Sequence, residues 1–192
     1  EGVEGRAATV AGAAARRMGD LAVASGEADL AVAVGVEKMS EGAATPALAK
    51  ALDARQEVVA GATLISKNAD LMRLYMERHK MPEDGLVNFA INAHQNALNN
   101  PNALFHKKIS AREVRQSRTI VPPIRLLDCS PICDGAAAVV LAPRSEARAY
   151  TDKPVHILAS SVATDRFRVD DRPNPLALEA ARLSAQKAFR LA

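Results

Sequence analysis

The chain has two cysteines, Cys129 and Cys133, and both lie in the segment RLLDCSPICDGAAAVVLAP. A cysteine can serve as a metal ligand, as half of a redox pair or as a nucleophile. A structural zinc site needs four ligands, and no second Cys or Cys/His pair lies nearby in the sequence, so we expect no metal. The CxxC spacing of redox pairs is also absent. We therefore predict that Cys133 is a small buried residue where a strand enters the core.

Ser130, Asp134 and Gly135 give the same segment the features of a binding loop. Ser130-Pro131 offers a hydroxyl and backbone polar groups, and an Asp-Gly step allows a sharp turn. The small apolar residues that follow, 136–142, predict a buried strand that another layer can approach closely. Proteins of the α/β class place their sites at strand ends. The segment is therefore predicted to bind a ligand rather than to supply a catalytic cysteine.

The histidines are individually weak candidates for catalysis. His94 is predicted to be a hydrogen-bonded helix residue, His79 and His106 to lie at the surface, and His156 to be structural.

The stretch from His106 to Arg125 is rich in lysine and arginine. Two interpretations of this basic stretch remain open: a solvated face, or a patch that binds a phosphorylated ligand. Its basic residues are Lys107, Lys108, Arg112, Arg115, Arg118 and Arg125.

Composition narrows the fold class. A chain of 192 residues forms one good-sized domain or two small ones. Aromatic residues make up only 3% of it and Trp is absent, so the core must consist of Ala, Val, Leu and Ile. This favours α/β layers over a β-sandwich or a nucleic-acid module that stacks bases on aromatic rings. Acidic and basic residues alternate outside the basic stretch, and we expect no nucleic-acid partner.

The cellular location follows from the cysteine content and the hydropathy pattern. Two cysteines do not make a disulfide framework, which favours a reducing, cytoplasmic environment. The apolar stretches fall short of the ~18 residues that span a bilayer, so no membrane span is expected. The chain begins at Glu1 rather than at Met, and we expect it to be a fragment.

The order of predicted elements is that of an α/β protein with a helical excursion. Residues 7–24 predict a helix that ends at Ser25-Gly26, and the valine-rich run 30–36 predicts a strand covered on both faces. A mostly helical middle section follows, and strands return after it. Its predicted helices are residues 66–80, one opened by Pro82 with Glu83 and Asp84 in its first turn, and a short one capped by Ser110; the later elements are strands at 136–142 and 155–164 and a helix beginning at Pro175.

Several segments resemble the thiolase superfamily, in the form found in its sterol-carrier-protein/lipid-transfer branch. SGEADLAVAVGVEKMS resembles the strand that follows the nucleophile helix, and LLDCSPICDGAAAVVLA resembles the Asp-Gly-Ala-Ala motif. NAHQNALNNPNALFHKKIS and NPLALEAARLSAQKAF also resemble that branch. The four segments occur in the family's order and extend over nearly the whole chain.

This resemblance implies a thiolase fold, an α/β architecture of αβαβα layers, with a mostly helical loop domain inserted in its first half. Residues 1–42 are expected to end the N-terminal half, 43–125 to form the loop domain, 126–143 to give the last strand of that half, and 150–192 to begin the C-terminal half. The fold is expected to be incomplete at both ends, with the His and C-terminal Cys motifs absent.

The resemblance also implies a function, which is acyl transfer between coenzyme A thioesters by Claisen condensation or thiolytic cleavage of 3-ketoacyl-CoA. Ser130 matches the serine that hydrogen-bonds the pantetheine arm of coenzyme A, and Asp134 and Gly135 belong to the same binding motif. The nucleophilic cysteine of the family corresponds to Thr9, or to Ala7 from another anchor, and no Cys precedes Cys129. The 192 residues alone are therefore expected to be inactive.

Two alternatives remain beside the acyltransferase. One is a thiolase-fold retro-aldolase that acts on acyl-CoA thioesters together with a small OB-fold partner, and the other is a non-catalytic coenzyme A-binding subunit. In each case coenzyme A or its thioester is the ligand, and no separate cofactor is expected. Exposed sheet edges favour association, so a homo-oligomer is predicted.

Overall fold

The computed structural model describes residues 11–192, which divide into two compact units. The first unit contains the described residues up to Glu41, together with Asp134–Pro173 and Ala177–Ala192. The second contains Gly42–Cys133 and Asn174–Leu176. The domain limits drawn from the family resemblance assign segments to halves of a larger fold, and they stay predictions.

In the first unit, helix α1 (Ala11–Ala24) packs on an antiparallel pair of strands, β1 (Ala31–Glu37) and β4 (Gly135–Leu141). The helix ends as its sequence predicts, because Gly26 adopts the left-handed conformation (φ +78°) that glycine accepts without strain. Helix and sheet meet closely at Gly19. A Cβ at that position would lie 2.8 Å from Leu141 Cδ1.

The strand at 30–36 was expected to be covered on both faces and the strand at 136–142 to be buried, and both expectations are wrong for the described part of the chain. The pairing runs from Ala31 opposite Leu141 to Glu37 opposite Gly135, and α1 contacts the face that carries Ala31 and Leu141. On the alternate face Val32, Val34 and Val36 are 59, 56 and 75% exposed. A valine-rich run predicts a strand with two apolar faces, but it cannot say which packing partners the described residues supply.

The strand predicted at residues 155–164 is absent from the described structure. A strand needs a hydrogen-bonded neighbour, whereas this segment is held by side chains. Arg16 and Arg17 of α1 donate to the hydroxyl and the carbonyl oxygen of Ser160, at 2.8 and 2.5 Å. The Ser161 hydroxyl donates to the carbonyl oxygen of Ser184 in the last helix, at 2.5 Å.

The rest of the first unit is formed by short helices and by the last helix. Helix α6 covers Ala147–Tyr150, a 3-10 turn covers Val169–Asp171, and α7 covers Glu179–Leu191. The helix predicted to start at Pro175 thus begins four residues later, at Glu179, and Leu178 occupies its N-cap position.

The second unit is mostly helical, as the sequence pattern of residues 43–125 predicts. Its small β-hairpin and its helical turns connect longer helices. The elements in chain order are α2 (Ala44–Ala49), a π-helical turn (Ala54–Val58), α3 (Leu64–Arg78), α4 (Val87–Ala97), α5 (Ala111–Gln116), β2 (Thr119–Val121), β3 (Ile124–Arg125) and a 3-10 turn (Leu126–Asp128).

Two capping boxes explain where α3 and α5 begin. Thr63 and Ser66 exchange side-chain and backbone hydrogen bonds at the start of α3, and Ser110 and Glu113 do the same at the start of α5. The second box was predicted from the sequence and is confirmed.

The helix predicted to open at Pro82 begins only at Val87. Glu83 and Asp84, which were expected to complement the dipole of its first turn, instead pair with arginines farther along the chain. Residues 83–86 form a turn instead, in which the backbone N–H of Gly85 donates to the carbonyl oxygen of Pro82 at 2.9 Å.

The buried apolar residues of the second unit are Ala69, Ile109, Val114 and Ile124. Glu57 is also buried, and its carboxylate accepts from the backbone N–H of Asp53 at 2.9 Å and lies 3.6 Å from Lys67 Nζ. None of the described helices is long and apolar enough to cross a membrane.

Candidate functional site

The segment that carries Cys129 is anchored by the 3-10 turn before it. Asp128 accepts a hydrogen bond from the backbone N–H of Arg125 at 2.9 Å, which closes the turn. Cys129 is partly buried, and its thiol lies 3.5 Å from the carbonyl oxygen of Arg125. Burial, and to a smaller extent the charge of Asp128, raises the pKa of the Cys129 thiol. A thiol that holds its proton more tightly is a poor nucleophile.

Cys133 is exposed, so the prediction that it fills a small space at a buried strand entry is wrong. The reason is that β4 itself is exposed along most of its length. Within the described residues no group of three or more His, Cys, Asp and Glu side chains could hold a metal ion.

Asp134, next to the start of β4, accepts two hydrogen bonds from Ser40. One carboxylate oxygen accepts from the backbone N–H of Ser40 at 2.9 Å, and the other accepts from the Ser40 hydroxyl at 2.5 Å. These two bonds, that of the hydroxyl first, lower the pKa of Asp134. The carboxylate thereby caps the 3-10 turn Met39–Glu41 at the end of β1.

Ser40 was not singled out from the sequence. It stands 94 residues from Asp134, and only the antiparallel register of β1 and β4 brings the two together. Ser40 ends the segment EKMS, which directly follows the predicted strand, and this position could have marked it as a candidate. Neither segment by itself, however, predicts that this strand pairs with residues 136–142.

Gly135 does not form the sharp turn predicted for the Asp-Gly step. It is the first residue of β4, lies opposite Glu37, and is not among the glycines with positive φ. A Cβ at Gly135 would have no described atom within 4 Å. The backbone simply enters the strand in an extended conformation.

Ser130 lies in the exposed segment between the 3-10 turn and β4, which has no regular secondary structure. Among the described residues its hydroxyl has no hydrogen-bond partner. It stands four residues before Asp134 in the chain. Thr9, the position predicted to correspond to the family nucleophile, lies outside the described residues, as does Ala7.

The basic stretch His106–Arg125 is partly neutralised by ion pairs within the second unit. Its three ion pairs have N···O distances of 2.6 to 3.1 Å and join Lys107 to Glu113, Arg115 to Asp84 and Arg125 to Glu83. In the part of the chain that the structure describes, no ion pair involves Lys108, Arg112 or Arg118, and all three are exposed. The stretch thus retains three cationic side chains that can contact a ligand.

A cavity of about 300 Å³ opens in the same unit, and two of these ion pairs lie on its wall. Its apolar lining includes Val114 and Leu86, and its polar lining is supplied by the paired Arg115, Asp84 and Arg125 together with others. The complete lining is Met72, Glu83, Asp84, Leu86, Val87, Val114, Arg115, Pro123, Arg125 and Asp128.

The histidines of the second unit have structural contacts. The His94 ring stacks on Phe105 with centroids 6.0 Å apart, and its Nδ1 lies 2.9 Å from the carbonyl oxygen of Lys107. His106 Nε2 lies 2.8 Å from the carbonyl oxygen of Asn100, and the His79 ring contacts that of Tyr75 in a tilted arrangement, with centroids 4.4 Å apart. The expectation that His94 is a hydrogen-bonded helix residue is confirmed.

Comparison with known proteins adds the family. The sequence-family model of the thiolase N-terminal domain matches residues 7–145. An acetyl-CoA acetyltransferase of Methanothermobacter thermautotrophicus is 41% identical over 187 residues, which cover 97% of this chain and 49% of that protein. Sterol carrier protein 2 of Oryctolagus cuniculus is 30% identical over 166 residues, which cover 80% of this chain and 30% of that protein.

A solved structure shows the same fold. The Ltp2-ChsH2(DUF35) aldolase structure superposes with a TM-score of 0.82 at 22% identity, over 94% of this chain and 49% of that chain. Fold and matching segments define an α/β protein of thiolase architecture. The chain belongs to the thiolase family, as its motifs predict. It spans about half the length of the acetyltransferase and of the aldolase chain.

Proposed function

We propose that this chain supplies the coenzyme A-binding part of a thiolase-type acyl-CoA acyltransferase. The observation that carries the proposal is the exposed Ser130 hydroxyl, which has no partner among the described residues and precedes the strand entry at Asp134 and Gly135. In this proposal Ser130 hydrogen-bonds the pantetheine arm, while Asp134 and Gly135 hold the chain as it enters β4. The thioester is the substrate, and no separate cofactor takes part.

The three exposed cations of the basic stretch suit the phosphates of coenzyme A. Arg offers a fork of donors that matches phosphate oxygens, and Lys adds a point charge. Lys108, Arg112 and Arg118 are the side chains that we assign to this contact. Lys107, Arg115 and Arg125 are already paired with carboxylates, and they shape the surface instead.

The reaction proposed for the whole protein is acyl transfer between coenzyme A thioesters. A Claisen condensation joins an acyl group to the α-carbon of a second thioester, and thiolytic cleavage reverses this step with coenzyme A as acceptor. We assign no nucleophilic role to Cys129, because its raised pKa opposes thiolate formation. Thr9 marks the position of the family nucleophile and carries no further assignment.

A second candidate is a retro-aldolase that cleaves a β-hydroxyacyl-CoA thioester. The observation that favours it is the fold match to the Ltp2-ChsH2(DUF35) aldolase, whose name includes a second component, ChsH2(DUF35). The absence of Cys from the segment before Cys129 is in line with altered chemistry. For this candidate we propose a small OB-fold partner. The homo-oligomer predicted from the sequence also stays a proposal, which light scattering after gel filtration tests.

Binding is tested by titrating coenzyme A into the protein in a calorimeter and comparing Ser130→Ala with Ser145→Ala. Ser145 is an exposed loop serine of the first unit and serves as the matched control. Loss of one hydrogen bond costs about 1 kcal/mol, so Ser130→Ala should weaken binding roughly 3- to 10-fold. Ser145→Ala should leave it unchanged. Equal affinities of the two variants would contradict the assignment of Ser130.

The two reactions are distinguished in the natural polypeptide that carries this chain. The acyltransferase cleaves acetoacetyl-CoA only when coenzyme A is present as acceptor. The retro-aldolase cleaves a β-hydroxyacyl-CoA and needs no acceptor thiol. Binding without turnover of either substrate would favour a non-catalytic coenzyme A-binding subunit.

A further inference from the structure

The hydrogen-bonded pair of Ser40 and Asp134 lies beside the two points at which the chain leaves the first unit for the long segment Gly42–Cys133 and returns from it. The first unit ends at Glu41 before the long excursion, and the chain returns to it at Asp134. One residue of the pair therefore precedes the departure and the other begins the return. Both bonds, at 2.9 and 2.5 Å, lie within the first unit.

The pair continues the ladder of the sheet beyond its last backbone partners. Glu37 lies opposite Gly135 in the last backbone pair of β1 and β4. Beyond this pair, no backbone pairing of the sheet holds the two segments together. The carboxylate of Asp134 spans the separation, because it accepts both the backbone N–H and the hydroxyl of Ser40. Two donors on one carboxylate fix its orientation as well as its position.

The donors in these bonds are the neutral backbone N–H and hydroxyl of Ser40. Lys38 forms an ion pair with Glu41, both in or next to the same turn. The backbone N–H of Lys38 lies 3.2 Å from the side chain of Glu37. The charged groups around the turn thus have partners of their own, and the Ser40 hydroxyl is the side-chain donor to Asp134.

We propose that Ser40 is a positioning residue for coenzyme A binding, acting through Asp134 on the segment that presents Ser130. The inference rests on the proposed function of Ser130. Four residues span at most about 14 Å, so fixing Asp134 limits where the Ser130 hydroxyl can lie. Removing the Ser40 hydroxyl leaves the carboxylate with backbone N–H donors alone, those of Ser40 and Met39. The entry to β4 then gains freedom, and binding must order it at an entropic cost.

The test compares Ser40→Ala, Ser40→Thr and Ser130→Ala, alone and in the double variant Ser40→Ala/Ser130→Ala, by calorimetric titration with coenzyme A. Ser40→Ala should weaken coenzyme A binding at least threefold, and Ser40→Thr, which keeps the hydroxyl, should restore it. In the Ser130→Ala background Ser40→Ala should have no further effect, because its influence passes through Ser130.

Each other outcome overturns a separate statement. If Ser130→Ala binds like the unaltered protein, the proposed function of Ser130 fails. If Ser130→Ala weakens binding and Ser40→Ala does not, the positioning role fails while the proposed function stands. Additive effects in the double variant, or failure of Ser40→Thr to rescue, would assign Ser40 a general structural role instead. Thermal melts of all variants show whether folding is unchanged.

Discussion

Replacing Val114 by alanine should destabilise the second unit, because Val114 is the largest side chain found fully buried among the described residues. It lies in α5, which packs against α4 and the 3-10 turn Leu126–Asp128. The same side chain lines the cavity that holds the Arg115–Asp84 ion pair. A loss here therefore tests whether α5 is fixed by packing or only by its capping box.

Three contributions set the magnitude. Val114→Ala removes two buried carbon groups at about 0.8 kcal/mol each, or about 1.6 kcal/mol of transfer free energy. The space left behind adds roughly 1 kcal/mol where neighbours do not collapse into it. Alanine is the better helix former by roughly 0.6 kcal/mol, which offsets part of the loss. The free energy of unfolding should fall by about 2 kcal/mol.

The assay is urea unfolding followed by circular dichroism, with Val59→Ala as the control. Val59 belongs to the same unit and is 80% exposed, so its truncation should change the free energy of unfolding by less than about 0.5 kcal/mol. With a slope of about 1–2 kcal/mol per molar urea, Val114→Ala should lower the midpoint by about 1–2 M. Equal midpoints for the two variants would refute the argument.

Two further predictions concern ionisable groups. The pKa of Glu113 is lowered to about 2 by hydrogen bonds from the backbone and hydroxyl of Ser110, with a smaller contribution from Lys107. The capping box should therefore stabilise α5 fully above pH ~4.5, and this stabilisation should be lost as the pH falls toward 2. A carboxyl NMR titration should show the pKa of Glu113 rising in Ser110→Ala and unchanged in Thr63→Ala, and a rise in neither would contradict the capping assignment. Iodoacetamide should alkylate exposed Cys133 faster than Cys129, whose pKa is raised; mass spectrometry after timed quenching measures both, and equal rates would contradict the burial of Cys129.

Local sequence signals predicted several elements well. Gly26 ends α1, the capping box at Ser110 begins α5, and the runs 31–37 and 135–141 form strands, because each signal acts over a few neighbouring residues. Errors arose where a local signal competed with a distant partner. Pro82 and its two acids indicated a helix start, but Arg115 and Arg125, about 30 to 40 residues away, bind those acids instead.

The candidate site shows the same division. Ser130 and Asp134 could be selected from the sequence, because their spacing within one segment matches a family motif. The conformation and burial of the residues around them could not be predicted from the sequence. Gly135 is extended rather than turned, and Cys133 is exposed rather than buried.

The sequence by itself determined the family, the α/β class and the segment that we assign to coenzyme A binding, because these depend on residue types in a fixed local order. Only the tertiary structure decided that Asp134 is held by Ser40 and that the strand at 155–164 does not form. Both depend on which backbone segments lie next to each other in the folded chain. Strand register and ion pairs join residues that are tens of positions apart, and no property of either segment alone encodes its partner.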